Sequence, residues 1–333
     1  MRVAPGFGRH LLLALLMMMG AEAALALDLQ GHRGARALMP ENTLPAFARA
    51  LAIGVTTLEM DVGMTKDGVL VIHHDRRLNP EMTRGPAGEW IVPPGPLVSS
   101  LTLAELKAYD VGTMKPGTAY ARQFSNQVPV PGTRVPSLAE LFQLVRRSGN
   151  ETVRFNIETK LSPLAPDETP DPATFARALV GALREHGVAS RTTIPSFDWR
   201  TLKIVQTVAP FIPTVYLTIE SGANPTIRRG DPRPSPWTGN FQLSDFGGSV
   251  PRMVRAAGGR VWSPFHRDLS DEALREAKGL GLSVVVWTVN DPADMVKLIE
   301  RGVDGIISDR PDLLREVMAR MGLALPPETP VTP

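Results

Sequence analysis

The sequence has no cysteine in 333 residues. A disulfide framework and a thiolate metal site are both excluded, so a resident metal would have only oxygen and nitrogen donors available. A dominant charge is also lacking: 36 Lys and Arg stand against 34 Asp and Glu, a net of +2. That balance gives no support to a nucleic-acid partner, which calls for a clustered basic face. RNA-binding and zinc-finger signatures are missing, and no internal repeat is visible. What is present is an ordinary globular composition, 43% apolar, with 31 prolines gathered in loops and near the C-terminus. Composition says nothing of the oligomeric state.

The first 26 residues read as a processing signal. Arg2, Arg9 and His10 make a positive start, Leu11–Met19 an apolar run, and Ala24-Leu25-Ala26 a small-residue cleavage site. The run is too short for a permanent membrane span, and the absence of cysteine excludes a lipoprotein. Residues 1–26 are therefore expected to be a signal peptide. The mature chain is expected in the periplasm or outside the cell, without a stable membrane anchor.

From residue 27 onward, strand patterns alternate with helical ones, which argues for a parallel sheet with crossover helices. Eight candidate strands lie near 28–32, 57–62, 153–158, 191–195, 212–217, 260–263, 282–287 and 304–308. Helical spacing falls between most of them, for example over Leu44–Leu51, Pro172–His186, Asp271–Lys278 and Pro292–Arg301. Eight such units predict an α/β fold, a (β/α)8 TIM barrel, occupying 27–323. Val69–His73 is a ninth apolar run. Only a turn carrying Asp67-Gly68 separates it from the second strand, so it must run antiparallel, outside the barrel. Two stretches exceed ordinary loop length: an insertion over about 62–136, and a second long loop over about 220–250. Both follow barrel strands and are expected over the catalytic face. The Pro-rich tail, 324–333, is expected to lack fixed structure.

A barrel keeps its chemistry at the C-terminal ends of its strands. Reading those ends gives His32 and Arg33, then Glu59 and Asp61, then His73 and His74, then Glu158 and Lys160. Glu59 and Asp61 are two apart on a strand and share a face, as do Glu158 and Lys160. Three carboxylates converging from neighbouring strands make an oxygen cage for a hard divalent cation such as Ca2+ or Mg2+. The competing reading is a structural salt-bridge network with Arg33 and Lys160. Two imidazoles can serve as acid and base in phosphodiester cleavage, and Arg33 and Lys160 can neutralise a phosphate. Alternation leaves His73 and His74 as competitors for one role. His266 follows the sixth strand and is a weaker candidate. Phe197 and Trp287, at further strand ends, can pack against the carbons of a small polyol or simply fill the core.

In order along the chain stand Gly31-His32-Arg33-Gly34, Pro40-Glu41-Asn42-Thr43, Glu59-Met60-Asp61-Val62, Thr65-Lys66-Asp67-Gly68 and Val71-Ile72-His73-His74-Asp75. Asn156-Ile157-Glu158-Thr159-Lys160, Ser196-Phe197, Trp287-Thr288-Val289-Asn290 and Ser308-Asp309-Arg310-Pro311 complete the series. This ordered set resembles the glycerophosphodiester phosphodiesterase family, and the long insertion resembles its exported branch. The resemblance implies a barrel of the phosphatidylinositol phospholipase C-like type with an insertion after the second strand. It implies that His32 and His74 are general acid and base, which decides against His73. It further implies Glu59, Asp61 and Glu158 as ligands of Ca2+ or Mg2+, and Arg33 and Lys160 as phosphate contacts. The expected reaction is hydrolysis of a small-molecule glycerophosphodiester to sn-glycerol 3-phosphate and an alcohol. The alternative is a related phosphodiesterase acting on intact lipid head groups, phospholipase D-like or lyase. A non-catalytic solute-binding barrel would have lost an acid or a histidine from the set, and none is missing. The chain departs from the family in the Glu81-Met82-Thr83-Arg84 stretch, where an Arg-Thr-Thr run is usual after the His-Asp pair.

Overall fold

The computed structural model describes Met1 and residues 27–333; the expected signal peptide lies outside the described residues. Among the described residues there are nine strands: β1 (Asp28–Gly31), β2 (Thr57–Met64), β3 (Leu70–Ile72), β4 (Arg154–Thr159), β5 (Thr192–Ser196), β6 (Thr214–Thr218), β7 (Val261–Pro264), β8 (Ser283–Val286) and β9 (Gly305–Ser308). Eight pair in parallel, and the pairing of β1 with both β2 and β9 closes the ring. β3 alone is antiparallel, Val62 facing Ile72, and stands outside the ring as the short turn demands. The fold is a closed (β/α)8 barrel.

Its helices are α1 (Leu44–Ile53), α2 (Leu103–Leu106), α3 (Ala119–Gln123), α4 (Leu138–Arg147), α5 (Pro172–Glu185), α6 (Trp199–Val208), α7 (Val250–Ala256), α8 (Asp271–Gly279), α9 (Pro292–Glu300) and α10 (Pro311–Arg320). α1 and α4 to α9 serve as crossovers, and α10 follows the last strand. α1 shows why the sequence folds so locally. The Thr43 side chain accepts from the Ala46 N–H, Leu44-Pro45 opens the first turn, and Gly54 ends the helix at φ 81°. Phe47, Ala50 and Leu51 are buried against the barrel. Truncating Phe47 to alanine would cost about 3–5 kcal/mol.

The stretch after β2 is a packed structure rather than an open loop. Val71, Leu78, Val98, Leu106, Val111 and Val135 make a small core of their own. Helix α2 is a single turn, opened by a capping box between Thr102 and Glu105. The tail also differs from expectation, because it is fixed to the barrel's outer helices. Thr329 N–H donates to Leu51 O at 2.9 Å, Asn150 Nδ2 to Thr329 Oγ1 at 3.0 Å, and Arg315 Nη1 to Pro326 O at 2.7 Å. Proline lowers the entropy lost on ordering, and these partners satisfy its backbone. No helix among the described residues is long and apolar enough to cross a membrane.

Candidate active site

The turn after β1 sets the first half of the site. Gly31 and Gly34 are required by space: a Cβ on Gly31 would lie 2.2 Å from Gly34 O, and one on Gly34, at φ 86°, would lie 2.7 Å from Ala46 C. Between them Arg33 takes a left-handed φ of 49°. This lets its backbone N–H donate to Glu59 Oε2 at 2.8 Å while its side chain turns to Glu41 and Asp61. The following Pro40-Glu41-Asn42-Thr43 stretch divides the labour. Glu41 receives Arg33 at 2.7 Å and Arg36 at 2.5 Å, Asn42 Nδ2 donates to Asp61 Oδ2 at 2.9 Å, and Thr43 caps α1.

β2 and β4 are in register, with Asp61 beside Glu158 and Glu59 beside Asn156. The pleat therefore brings Glu59, Asp61 and Glu158 together, each offering an oxygen within 4.8 Å of the others, all buried. Lys160 Nζ donates to Glu158 Oε1 at 2.8 Å and lies 3.5 Å from Asp61. Salt bridges thus exist, but they do not balance the cluster. Arg33, Arg36 and Lys160 face four carboxylates, those of Glu41, Glu59, Asp61 and Glu158. Burial, then the neighbouring Asp61 charge, pushes the Glu59 carboxyl well above its ordinary range. Burial pushes Glu158 up to about 7 although Lys160 pulls it down. Asp61, against the same burial penalty, is held well down by Arg33 and Lys160. Buried acids this crowded and short of positive charge fit a divalent cation.

Two imidazoles join this cluster. His32 follows β1; its Nδ1 is 2.6 Å from Asp309 Oδ1, leaving Nε2 free, 3.9 Å from Glu59 Oε2. Asp309 is itself held by Asn290, whose Nδ2 donates to Oδ2 at 2.7 Å. His74, past the end of β3, has Nδ1 2.7 Å from Asp75 Oδ1, and Asp75 accepts from Asn79 Nδ2 at 3.1 Å. A carboxylate on Nδ1 fixes the tautomer and leaves Nε2 as the acceptor. Burial lowers both histidines, His74 to about 4 with help from Arg33 and Lys160, while Asp309 and Asp75 pull the other way. His73 turns away, its Nδ1 lying 2.8 Å from Asp75 O. His266 packs on Phe265 and pairs with Trp287 O, off the cavity lining.

A cavity of about 200 Å³ gathers these groups, with His32, Arg33, Glu59, His74, Glu158, Lys160, Phe197 and Trp287 all on its wall. Asp61 lies just behind it, fully buried. The space is below the roughly 300–1,000 Å³ usual for drug-sized ligands and suits a small polar fragment. Phe197 and Trp287 meet edge to face at 5.5 Å, and Lys160 Nζ lies 5.9 Å from the Phe197 ring. Arg36 also lines the cavity, and sequence reading missed it. Arg33 and Arg36 each keep a buried Nε without an aligned hydrogen-bond acceptor.

The geometry is that of a barrel phosphodiesterase, and comparison makes the assignment narrower. Residues 32–313 match the model of the glycerophosphoryl diester phosphodiesterase family. A glycerophosphodiester phosphodiesterase of Caldanaerobacter subterraneus subsp. tengcongensis is 30% identical over 292 residues, covering 87% of this chain and 97% of its own. One from Bacillus subtilis is 28% identical over 294 residues, covering 86% and 84%. A Silicibacter pomeroyi DSS-3 crystal structure, described under the same enzyme name, is 36% identical with TM-score 0.80, covering 90% and 95%. An Oleispira antarctica phosphodiesterase solved with the product sn-glycerol-3-phosphate shares the fold at 21% identity and TM-score 0.63, over 87% of this chain and 96% of its own. The chain belongs to the glycerophosphoryl diester phosphodiesterase family. It is an enzyme, a phosphoric diester hydrolase built on a TIM barrel.

Proposed function

We propose that the chain hydrolyses glycerophosphodiesters to sn-glycerol 3-phosphate and an alcohol, with His32 and His74 as general acid and base and a divalent cation, Ca2+ or Mg2+, at Glu59, Asp61 and Glu158. One observation carries this: two imidazoles, each held through Nδ1 by an aspartate, face the same small cavity as Glu59 and Glu158, with Asp61 grouped beside them. The bound sn-glycerol-3-phosphate of the Oleispira antarctica structure supports the product. Hard carboxylate oxygens favour Ca2+ or Mg2+ over softer metals, and such an ion, held by Glu59, Asp61 and Glu158, would supply Lewis-acid charge to the reacting phosphate.

The remaining work falls to the chain itself. One imidazole Nε2 takes the proton of the attacking oxygen; the other enters the step as the imidazolium, a form its aspartate partner and the anionic phosphate both favour, and gives its Nε2 proton to the departing alkoxide. The attacker is water or the substrate's own hydroxyl next to the phosphate; in the second case water then opens the cyclic ester. Arg33 and Lys160 offset the phosphate charge, and Phe197 with Trp287 gives the glycerol carbons an apolar wall. Export to the periplasm or beyond is part of the same proposal and rests on the first 26 residues; fractionation of expressing cells tests it.

The central test incubates the protein with glycerophosphocholine, with and without a chelator, and measures glycerol 3-phosphate. Turnover that survives complete metal removal would sink the triad's assignment. His32→Ala and His74→Ala are each expected to lose at least about a hundredfold in rate. A loss of only a few-fold would mean the acid and base lie elsewhere.

A further inference from the structure

A second cavity lies inside the barrel, at the N-terminal ends of the strands and away from the chemistry. It measures about 210 Å³, and Asp28, Gln30, Thr57, Arg154, Asn156 and Thr193 form its polar side. β6 to β8 contribute Val215, Val261 and Val285 instead. Asn156 lines this cavity and the active one, so it stands between them. Barrel interiors are ordinarily filled by branched aliphatic side chains, and a buried amide costs stability unless it is bonded. Here the polar side falls on β1, β2 and β4, the strands that lead to His32, Glu59 and Glu158, together with β5.

One carboxylate gathers that side. Strand register sets Gln30, Thr57 and Arg154 next to one another across β1, β2 and β4. Asp28 takes all three. Gln30 Nε2 donates to its Oδ2 at 2.9 Å, Thr57 Oγ1 donates to its Oδ1 at 2.7 Å, and Arg154 Nη2 lies 2.9 Å from the same Oδ1. The charge also fixes a direction. A carboxylate only accepts, so Gln30 turns its Nε2 to Asp28 and its Oε1 to Asn156, whose Nδ2 donates at 2.8 Å. Asn156 Oδ1 is then left to accept from the Thr193 hydroxyl, at 2.7 Å. Amides and hydroxyls without the charge could run in either direction. Strand alternation carries the order upward: His32 lies two residues beyond Gln30, Glu59 two beyond Thr57 and Glu158 two beyond Asn156, each on the same face as its predecessor. A buried network with every member satisfied rigidifies what it joins. We propose that Asp28 is a positioning residue acting from the far end of the barrel. It clasps β1, β2 and β4 at one relative height and so keeps His32, Glu59 and Glu158 within reach of one another. What the clasp serves, an ion and an acid–base pair, rests on the function proposed above.

The test combines calorimetric titration with Ca2+ alone, kcat and KM for glycerophosphocholine, and thermal unfolding of each protein. Well below its unfolding temperature, Asp28→Asn is expected to weaken Ca2+ binding and to lower kcat, each by about fivefold or more, with KM nearly unchanged. Thr57→Val, of the same shape, is expected to lose about threefold in both, and Thr57→Ser, which keeps the hydroxyl, to restore both. Tyr216→Phe removes a hydrogen bond to Ala257 O on the outer face of the barrel; it should lower the unfolding temperature and leave affinity and kcat unchanged. Asp28→Asn behaving as Tyr216→Phe does, or Thr57→Ser losing as much as Thr57→Val, would overturn the proposal. Should Asp28→Asn not fold, the Thr57 pair decides alone. Ca2+ binding without hydrolysis by the unaltered enzyme would overturn the function and leave the calorimetric ratios to judge the clasp. Neither binding nor hydrolysis would overturn both.

Discussion

Replacing Glu41 by glutamine removes a charge that the site is built around without touching the cavity wall. Glu41 is buried, receives Arg33 and Arg36, and accepts the Tyr120 hydroxyl at 2.5 Å. Burial alone would raise its carboxyl, yet Arg33 and Arg36 draw it down to about 2 from an ordinary 4.5. At about 1.36 kcal/mol per unit, the difference is worth about 3 kcal/mol of folding stability. Because the folded value is the lower one, that stabilisation is complete above pH 4.5 and is lost as pH falls from 4.5 through 2. Glu41→Gln should therefore cost about 3 kcal/mol at pH 7, in line with the 3–5 kcal/mol typical for breaking a buried pair. The same titration leaves a difference of about 2 kcal/mol at pH 3.5. Denaturant unfolding of both proteins, with chelator present so that metal binding adds nothing, measures this directly. A difference under about 1 kcal/mol at pH 7, or one that grows on acidification, would refute the reasoning.

Three further outcomes follow from the same geometry. Asp309→Asn removes a charge-assisted hydrogen bond to His32 worth about 1.5–3 kcal/mol, so kcat should fall about 10- to 100-fold with KM less affected; a loss within threefold would show that Asp309 does not orient the imidazole. Asp61→Asn should weaken divalent-cation binding about 10-fold or more in a calorimetric titration of the unreacted protein, since Asp61 also anchors Arg33 and Lys160. Unchanged affinity would remove it from the ligand set. Deleting 324–333 should lower stability by about 2 kcal/mol through loss of its bonds to Leu51, Asn150 and Arg315, and leave kcat unchanged. An unchanged denaturation midpoint would show those contacts to be idle.

Where the candidate groups sit on strand ends, their placement was readable in the sequence. Strand period places Glu59 beside Asp61 on one face, and the register of β2 with β4 brings Glu158 to them. The hairpin was equally clear, since its turn is too short for a parallel crossover. The partners of these groups were harder to see. Asp309 lies 277 residues from His32, and only closure of β1 on β9 joins them. Arg36 looked like an ordinary loop residue because its value depends on Glu41 and on the Phe124 ring, 4.3 Å from its guanidinium. The signal for Asp309 was present in the Ser308-Asp309-Arg310-Pro311 stretch, without a role attached. The tail was misread because composition reports proline content and not the Arg315, Asn150 and Leu51 groups waiting to bond it.

His74 rides on the outer arm of a hairpin, two residues beyond β3, while Glu59, Asp61 and Glu158 are rooted in the ring. Scaffold and outer wall are consequently separable only downstream of Asn79, whose amide holds Asp75. A chimera that exchanges 80–100 with a relative gains a new wall and keeps the imidazole on its native footing. A splice placed before Leu70 transplants the imidazole along with the wall, so such a swap changes selectivity and proton transfer in one stroke.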